Sequence, residues 1–180
     1  MKIRKSRGMR YVRRFNFHHC NVYQNVAEHS YFVALIAHQI ALMLTDDIEF
    51  IYKCFCRAFY HDIDEAVTGD IPYLVKRKVN VNDLLIHAMR ELEYIEPFNV
   101  EEVEEIEIEH VVKLADCIEL KMYLEDERKS GNMHLYDIEK ETYKRIIDSK
   151  VDDRVKQYFI RLLDPVEPKE LIDNITHEGI

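Results

Sequence analysis

The chain has 180 residues, and its 34 acidic against 25 basic side chains leave a net charge of −9. That length suits one domain with a sizeable core, and the negative balance argues against a general grip on a nucleic-acid polymer, which comes from neutralised phosphates, while still admitting a small anionic ligand. Four glycines and four prolines leave no linker tract, and Cys20, Cys54, Cys56 and Cys117 match neither a disulfide framework nor a pair of zinc knuckles, which favours a reducing compartment.

In chain order, the first 27 residues hold no acid but carry Lys2, Arg4, Lys5, Arg7, Arg10, Arg13 and Arg14. No apolar core with a cleavage site follows, so the segment is not read as a secretory signal. Lys2 to Arg10 read as a solvated basic end, whereas Arg13 and Arg14, next to Phe15, can reach a pocket at the mouth of the following helix. Asn25 and Glu28 have capping-box spacing and open an apolar helix over 26–44. It is apolar all round, which predicts a central helix. Its longest apolar runs, 31–37 and 40–44, are broken by His38 and Gln39 and fall short of the roughly 18 residues of a membrane span, so a cytoplasmic protein with no membrane partner is expected.

Helical spacing recurs over 48–60 and, after the turn-rich TGDIP, over 81–95. Residues 100–128 form a long helical pattern whose start is crowded with Glu101, Glu102, Glu104, Glu105, Glu107 and Glu109, suited to a helix N-terminus and read as a solvated face. Two more helices fit 136–147 and 153–163, the last stopped by Pro165 and Pro168. No strand alternation or internal repeat appears. The expectation is an all-α single domain over 1–180 with six or seven helices.

The chemistry concentrates in FYHDIDEAVTGDIP, which carries His61, Asp62, Asp64, Glu65 and Asp70 just after an apolar run. At a frayed helix end His61 and Asp62 can turn toward one ion. His29, in the first turn of the central helix, and Asp116, within VVKLADCIEL, are polar residues in apolar settings, and a buried carboxylate without a partner is costly. Together they offer two imidazoles and two carboxylates from three helices, a donor set suited to one divalent transition metal among Co, Mn, Zn, Fe and Ni. His18, His19 and Cys20 lack a partner pair and read as a loop over the pocket.

These residues carry a resemblance. The order H…HD…D in an all-α chain resembles the HD-domain metal-dependent phosphohydrolases, and the closer likeness is to the bacterial 5′-deoxynucleotidase branch. QNVAEHS at 24–30 resembles that branch's ENVAEHS, and YHDIDEAVTGDIPYLVK at 60–76 resembles its YHDxxExxTGDxPxxxK. The likeness spans 14–76 and resumes at Asp116. It implies His29, His61, Asp62 and Asp116 as metal ligands, Glu65 as the catalytic glutamate, and Asp70 as a second acid beside the attacking water. It further implies Arg14 as the arginine that contacts the nucleotide and Lys76 as a phosphate contact. Phe15 stands where the family has a tryptophan against the sugar, so a looser preference for deoxyribose is expected, and Gln24 replaces a glutamate at the edge of the cap. Asp64 has no motif match and reads as solvated.

The activity implied is hydrolysis of deoxyribonucleoside 5′-monophosphates to deoxynucleoside and phosphate, by a homodimer. Lys76, Arg77, Lys78, Arg13 and Arg14 also suit a longer anion, which keeps open a triphosphohydrolase acting on deoxynucleoside triphosphates. A non-catalytic nucleotide-binding HD protein is the third reading; it leaves the proton-handling Glu65 and Asp70 without a purpose.

Overall fold

Asn25 starts the helix on which the site is built: its side chain accepts from the Glu28 amide at 3.0 Å, while Glu28 reaches back to the Asn25 amide at 3.2 Å. This is the expected capping box, and it satisfies two amides that a helix start leaves without partners. The computed structural model describes residues 1–163 apart from 96 and 99, and for Tyr73, Leu74 and Arg77 the backbone alone. The stops expected at Pro165 and Pro168 lie outside the described residues.

Among the described residues every named element is helical. They are α1 (Ile3–Ser6), a 3₁₀ turn (Arg7–Tyr11), α2 (Val26–Leu44), α3 (Ile48–Tyr60), α4 (Glu65–Thr68), α5 (Tyr73–Lys78), α6 (Asn82–Leu92), α7 (Glu102–Lys129), α8 (Tyr136–Ile147) and α9 (Asp153–Leu163). The class is all-α, as expected. The helix expected over 81–95 is shorter, because Glu93 adopts a left-handed conformation (φ 49°) that closes α6.

The main core joins α2, α3 and α7, with α8 and α9 closing one side. Ala34, Ala37 and Ala41 recur at helical spacing along the buried face of α2 and let its neighbours come close, while Ile40, Ile108, Leu114 and Ile118 fill the space between. Each such side chain contributes about 1.5–3 kcal/mol when fully buried. The all-round apolar character of α2 does not make it enclosed: Tyr31, Phe32, Leu35 and Leu42 are about half exposed on its outer face. The helix is central as expected, packed against α3, α7, the 3₁₀ turn and α9, but periodicity cannot tell a buried apolar face from an exposed one.

The acidic start of α7 is not simply a solvated face either. Glu104 takes Lys53 at 2.9 Å and Glu105 pairs with Arg57, which clamps α7 to α3. The basic N-terminal end likewise folds back onto the chain. Lys2 pairs with Glu93 at 2.9 Å, Lys5 bonds Glu91, and the Lys2 amide donates to the Leu92 carbonyl at 2.7 Å.

A second cluster of Met9, Val26, Ile63 and Leu92 holds the 3₁₀ turn, α4 and α6 against the start of α2. Gly8 permits this approach, because a Cβ there would lie 3.0 Å from the Ala66 carbonyl oxygen. The packing presses the turn after α3 inward, toward the N-terminus of α2.

Candidate metal and catalytic site

Three helices meet where α2 begins, α3 ends and α7 passes its midpoint. His29 lies in the first turn of α2 and is fully buried; His61 is the C-cap of α3, with Asp62 following it; Asp116 is on α7. One ligand atom each from His29, His61 and Asp116 lies within 4.8 Å of the others. His29 Nε2 is 3.3 Å from Asp116 Oδ1 and 3.7 Å from Asp62 Oδ2, and His61 Nε2 is 3.1 Å from Asp62 Oδ2.

The outer nitrogens fix the rings. His61 Nδ1 donates to the Ala58 carbonyl at 2.7 Å, and His29 Nδ1 donates to Glu119. With Nδ1 engaged, each ring turns Nε2 toward the carboxylates. Both Nε2 atoms are buried, and neither has a hydrogen-bond partner within the chain. A buried polar atom without a partner is costly. Two of them, converging beside two carboxylates, with an outer hydrogen bond on each ring, fit a divalent metal of borderline hardness.

Charge follows the same pattern. Burial alone would raise Asp116, but the close approach of the His29 ring and the His29, His61 and Arg14 charges hold its carboxyl down at about 2. Asp62 is likewise held well below the usual range against burial, chiefly by His61. Burial would lower His61, yet Asp62 and Asp116 keep its imidazole up at about 9. The pocket is therefore organised for positive charge.

Glu65 begins α4 and is 3% exposed. Burial, then the Asp62 charge, pushes its carboxyl up to about 8, with Asp70 adding and Lys76 opposing. Lys76, on α5, donates to Glu65 Oε1 at 2.8 Å. Burial would lower the Lys76 ammonium, but Glu65 and Asp62 raise it. Asp70 Oδ2 accepts from the Phe15 amide at 3.1 Å and so ties the loop before α2 to the loop after α4. Asp64, expected to be solvated, is buried; burial and Asp62 raise its carboxyl. The same inward turn that brings Glu65 to the site encloses it.

Arg14 Nη1 reaches Gln24 Oε1 at 2.7 Å and Glu119 Oε2 at 3.2 Å. The Phe15 ring stacks on Tyr123, with centroids 5.4 Å apart, and the Arg14 guanidinium lies 5.7 Å from the Phe15 centroid. Sequence reasoning missed Glu119, and treated Gln24 as a detail of the cap. A signal for Glu119 was present: it lies three residues after Asp116 and thus shares its helix face. Its partners Arg14 and Gln24 are about a hundred residues away, and no local pattern announces them.

The all-α fold and this His, His, Asp cluster define a metal-dependent phosphohydrolase of the HD type. Residues 4–95, just over half of the chain, match the 5′-deoxynucleotidase YfbR-like family, and the chain belongs to that family. The match ends before Asp116 and Glu119. No curated protein matches the chain. Among solved structures, a conserved hypothetical protein from Pyrococcus furiosus is 23% identical, with a TM-score of 0.70 over 89% of this chain and 96% of its own. A protein from Pyrococcus horikoshii is 20% identical, also with a TM-score of 0.70, over 91% and 98%. The HD phosphohydrolase DatZ of cyanophage S-2L, bound to dA and one catalytic zinc ion, is 20% identical, with a TM-score of 0.62 over 91% of this chain and 94% of its own. At these identities the likeness is one of fold.

Proposed function

We propose that this chain, acting as a single HD-type domain in the cytoplasm, hydrolyses deoxyribonucleoside 5′-monophosphates to deoxynucleoside and phosphate. The observation that carries the reading is the pair of buried, unpartnered Nε2 atoms of His29 and His61 facing Asp62 and Asp116, with Glu65 three residues beyond Asp62. In this reading His29, His61, Asp62 and Asp116 hold one divalent metal, whose chemistry is to lower the pKa of water and draw charge from a phosphoryl oxygen. Glu65, with a carboxyl near 8, takes the proton of the attacking water and returns it to the leaving 5′ oxygen. Lys76 holds Glu65 in place and keeps further N–H donors for a phosphate oxygen. Arg14 contributes the planar guanidinium that suits a phosphate dianion. Asp70 positions the loop that carries Arg14 and Phe15, and Phe15 borders the sugar. The likeness to the dA-bound cyanophage protein supports a deoxynucleoside ligand.

We further propose a homodimer. The outer face of α2, with Tyr31, Phe32, Leu35 and Leu42 exposed, supplies an apolar surface of the kind that a second subunit covers.

The test is a panel of ribo- and deoxynucleoside mono-, di- and triphosphates incubated with the Co- or Mn-loaded protein. Orthophosphate released from deoxynucleoside monophosphates is the expected result. Triphosphate released from dATP would replace this reading with the triphosphohydrolase, and retention of nucleotide without turnover would replace it with the binding protein.

A further inference from the structure

Three side chains beside the metal cluster, Arg14, Gln24 and Glu119, form a closed hydrogen-bonded ring, to which His29 is attached through Glu119. Gln24 Nε2 donates to Glu119 Oε1 at 2.6 Å, and Gln24 Oε1 accepts from Arg14 Nη1 at 2.7 Å. Arg14 Nη1 also donates to Glu119 Oε2 at 3.2 Å, and the same oxygen accepts from His29 Nδ1. Glu119 is buried, and only 13% of the Arg14 side chain is exposed. In each of these contacts a donor meets an acceptor, in a single arrangement. Turning the Gln24 amide over would set its N–H against the guanidinium N–H and its oxygen against the carboxylate.

We propose that Gln24 and Glu119 are a matched pair of positioning residues that jointly fix the tautomer of His29 and the orientation of Arg14, and that their side-chain types can be exchanged only together. The proposal rests on the reading of His29 as a metal ligand and Arg14 as a phosphate contact. Its physical basis is the polarity of each contact. Glu119→Gln must keep an oxygen toward His29 Nδ1 and Arg14, so its new NH₂ faces Gln24. Gln24 then has to turn, and its own NH₂ meets Arg14 donor to donor. Gln24→Glu instead sets a second carboxylate against Glu119 at a contact of 2.6 Å. Buried polar groups that face their own kind lose the hydrogen bond and keep the desolvation cost.

In the double variant the new amide at 119 gives its oxygen to His29 and Arg14 and its NH₂ to the new carboxylate at 24, which also accepts from Arg14. Every donor again has an acceptor, and net charge is unchanged. The side chain at 119 acts on the metal through His29 alone, as an outer partner whose loss typically lowers metal affinity by about 10- to 100-fold.

The experiment measures Zn affinity of the metal-free protein by competition with a chromophoric chelator, and inorganic phosphate affinity of the Zn-loaded protein by calorimetry. It covers wild type, Gln24→Glu, Glu119→Gln, the double variant and His29→Ala. Each single change is expected to weaken zinc binding by about 10- to 100-fold and to weaken phosphate binding as well, with the double variant back within about threefold of wild type for both. A merely structural role would change melting temperature without this pattern in two affinities. If a single variant does not fold, the double decides: recovery of folding and both affinities supports the pairing, and a double no better than the worse single overturns it. Additive losses, or singles that bind like wild type, overturn the pairing as well. His29→Ala binding zinc as tightly as wild type would instead overturn the reading of the metal site on which the pair rests.

Discussion

Lys76 donates a 2.8 Å hydrogen bond to a Glu65 carboxyl that burial and Asp62 have pushed up to about 8. A base poised near neutrality combines the right protonation state with enough driving force to accept a proton. Lys76 supports that balance: its charge opposes the rise that burial causes, and it holds the carboxylate without acting as a ligand. Replacing Glu65 with Gln keeps the shape and, in the proposed mechanism, removes the base. The expected outcome is a kcat lower by about 10²- to 10⁴-fold with metal content unchanged. Metal analysis beside the rate assay checks it, and loss of metal in this variant would make Glu65 a ligand.

His61 leads to a pH prediction. Burial pulls its imidazole down, but Asp62 and Asp116 hold it at about 9, so the metal-free protein keeps this ring protonated at neutral pH. A metal ligand must give that proton up. Zinc binding at pH 7 is expected to release about one proton from this ring, read by calorimetry in buffers of different ionisation heat, and zinc affinity should climb with pH and level off above about 9. The sign for stability follows from the same shift. Because the folded value is raised, the stabilisation is fully present below the unfolded value of 6.5 and is lost as pH rises through about 9. In chelator, the wild-type melting temperature should therefore fall from pH 7 to pH 9 more than that of His61→Ala. Equal slopes would show that His61 carries no raised proton affinity.

Much of the fold was legible because its long helices announce themselves. Asn25 with Glu28 marks the start of α2, and strong apolar spacing carries α8 to its observed ends and α9 from its observed start. Asp47, which caps α3 by accepting from the Glu49 amide at 2.9 Å, passed unmarked. The short elements α1, α4 and α5 were not legible, since helices of four to six residues do not stand alone and take their shape from what they dock against. Met9 and Gly8 supply that contact for α4 by packing on Ala66, and neither forms a motif. In the site, the sequence marks the groups of unusual chemistry in apolar surroundings. Glu119 and the burial of Asp64 depend on the inward packing of distant segments, which local pattern does not encode.

Glu127 ties the loop that carries Arg14 to the long helix α7. Fully buried, it accepts from the Asn21 and Val22 amides at 3.0 and 2.5 Å and from Asn132 Nδ2 at 2.5 Å. Glu127→Ala leaves these three donors, and the Tyr123 hydroxyl at 3.4 Å, without this acceptor, and two of the four are on the loop. A loss of about 3 kcal/mol is expected in urea denaturation, since each unmet buried donor costs about 1–3 kcal/mol and water reaches some of them. Because the loop then holds Arg14 less firmly, KM should rise more than kcat falls. A variant as stable as wild type would show that water replaces the carboxylate at no cost.

Phe15 carries the last prediction, on sugar selectivity. Its backbone is left-handed (φ 54°), a conformation that a bulky residue rarely adopts. The amide is pinned to Asp70 Oδ2 at 3.1 Å, and the ring is backed by Tyr123 in a stacked arrangement. A ring braced in this way next to Arg14 is a fixed wall. If it borders the sugar, a 2′-hydroxyl pressed against it is desolvated without a partner, at a cost of about 1–3 kcal/mol. Phenylalanine sets that wall further back than the larger tryptophan of the resembled motif, so the penalty is only partly applied. The protein is therefore expected to prefer deoxyribonucleotides while tolerating ribonucleotides. Phe15→Trp should raise the ratio of kcat/KM for dAMP over AMP, and Phe15→Ala should bring the ratio toward one. A change of about 1.4 kcal/mol is tenfold, which a phosphate-release assay with both substrates resolves. A ratio that stays constant across both variants while activity persists would place the sugar away from Phe15 and leave the ring as a brace between Tyr123 and the Arg14 loop.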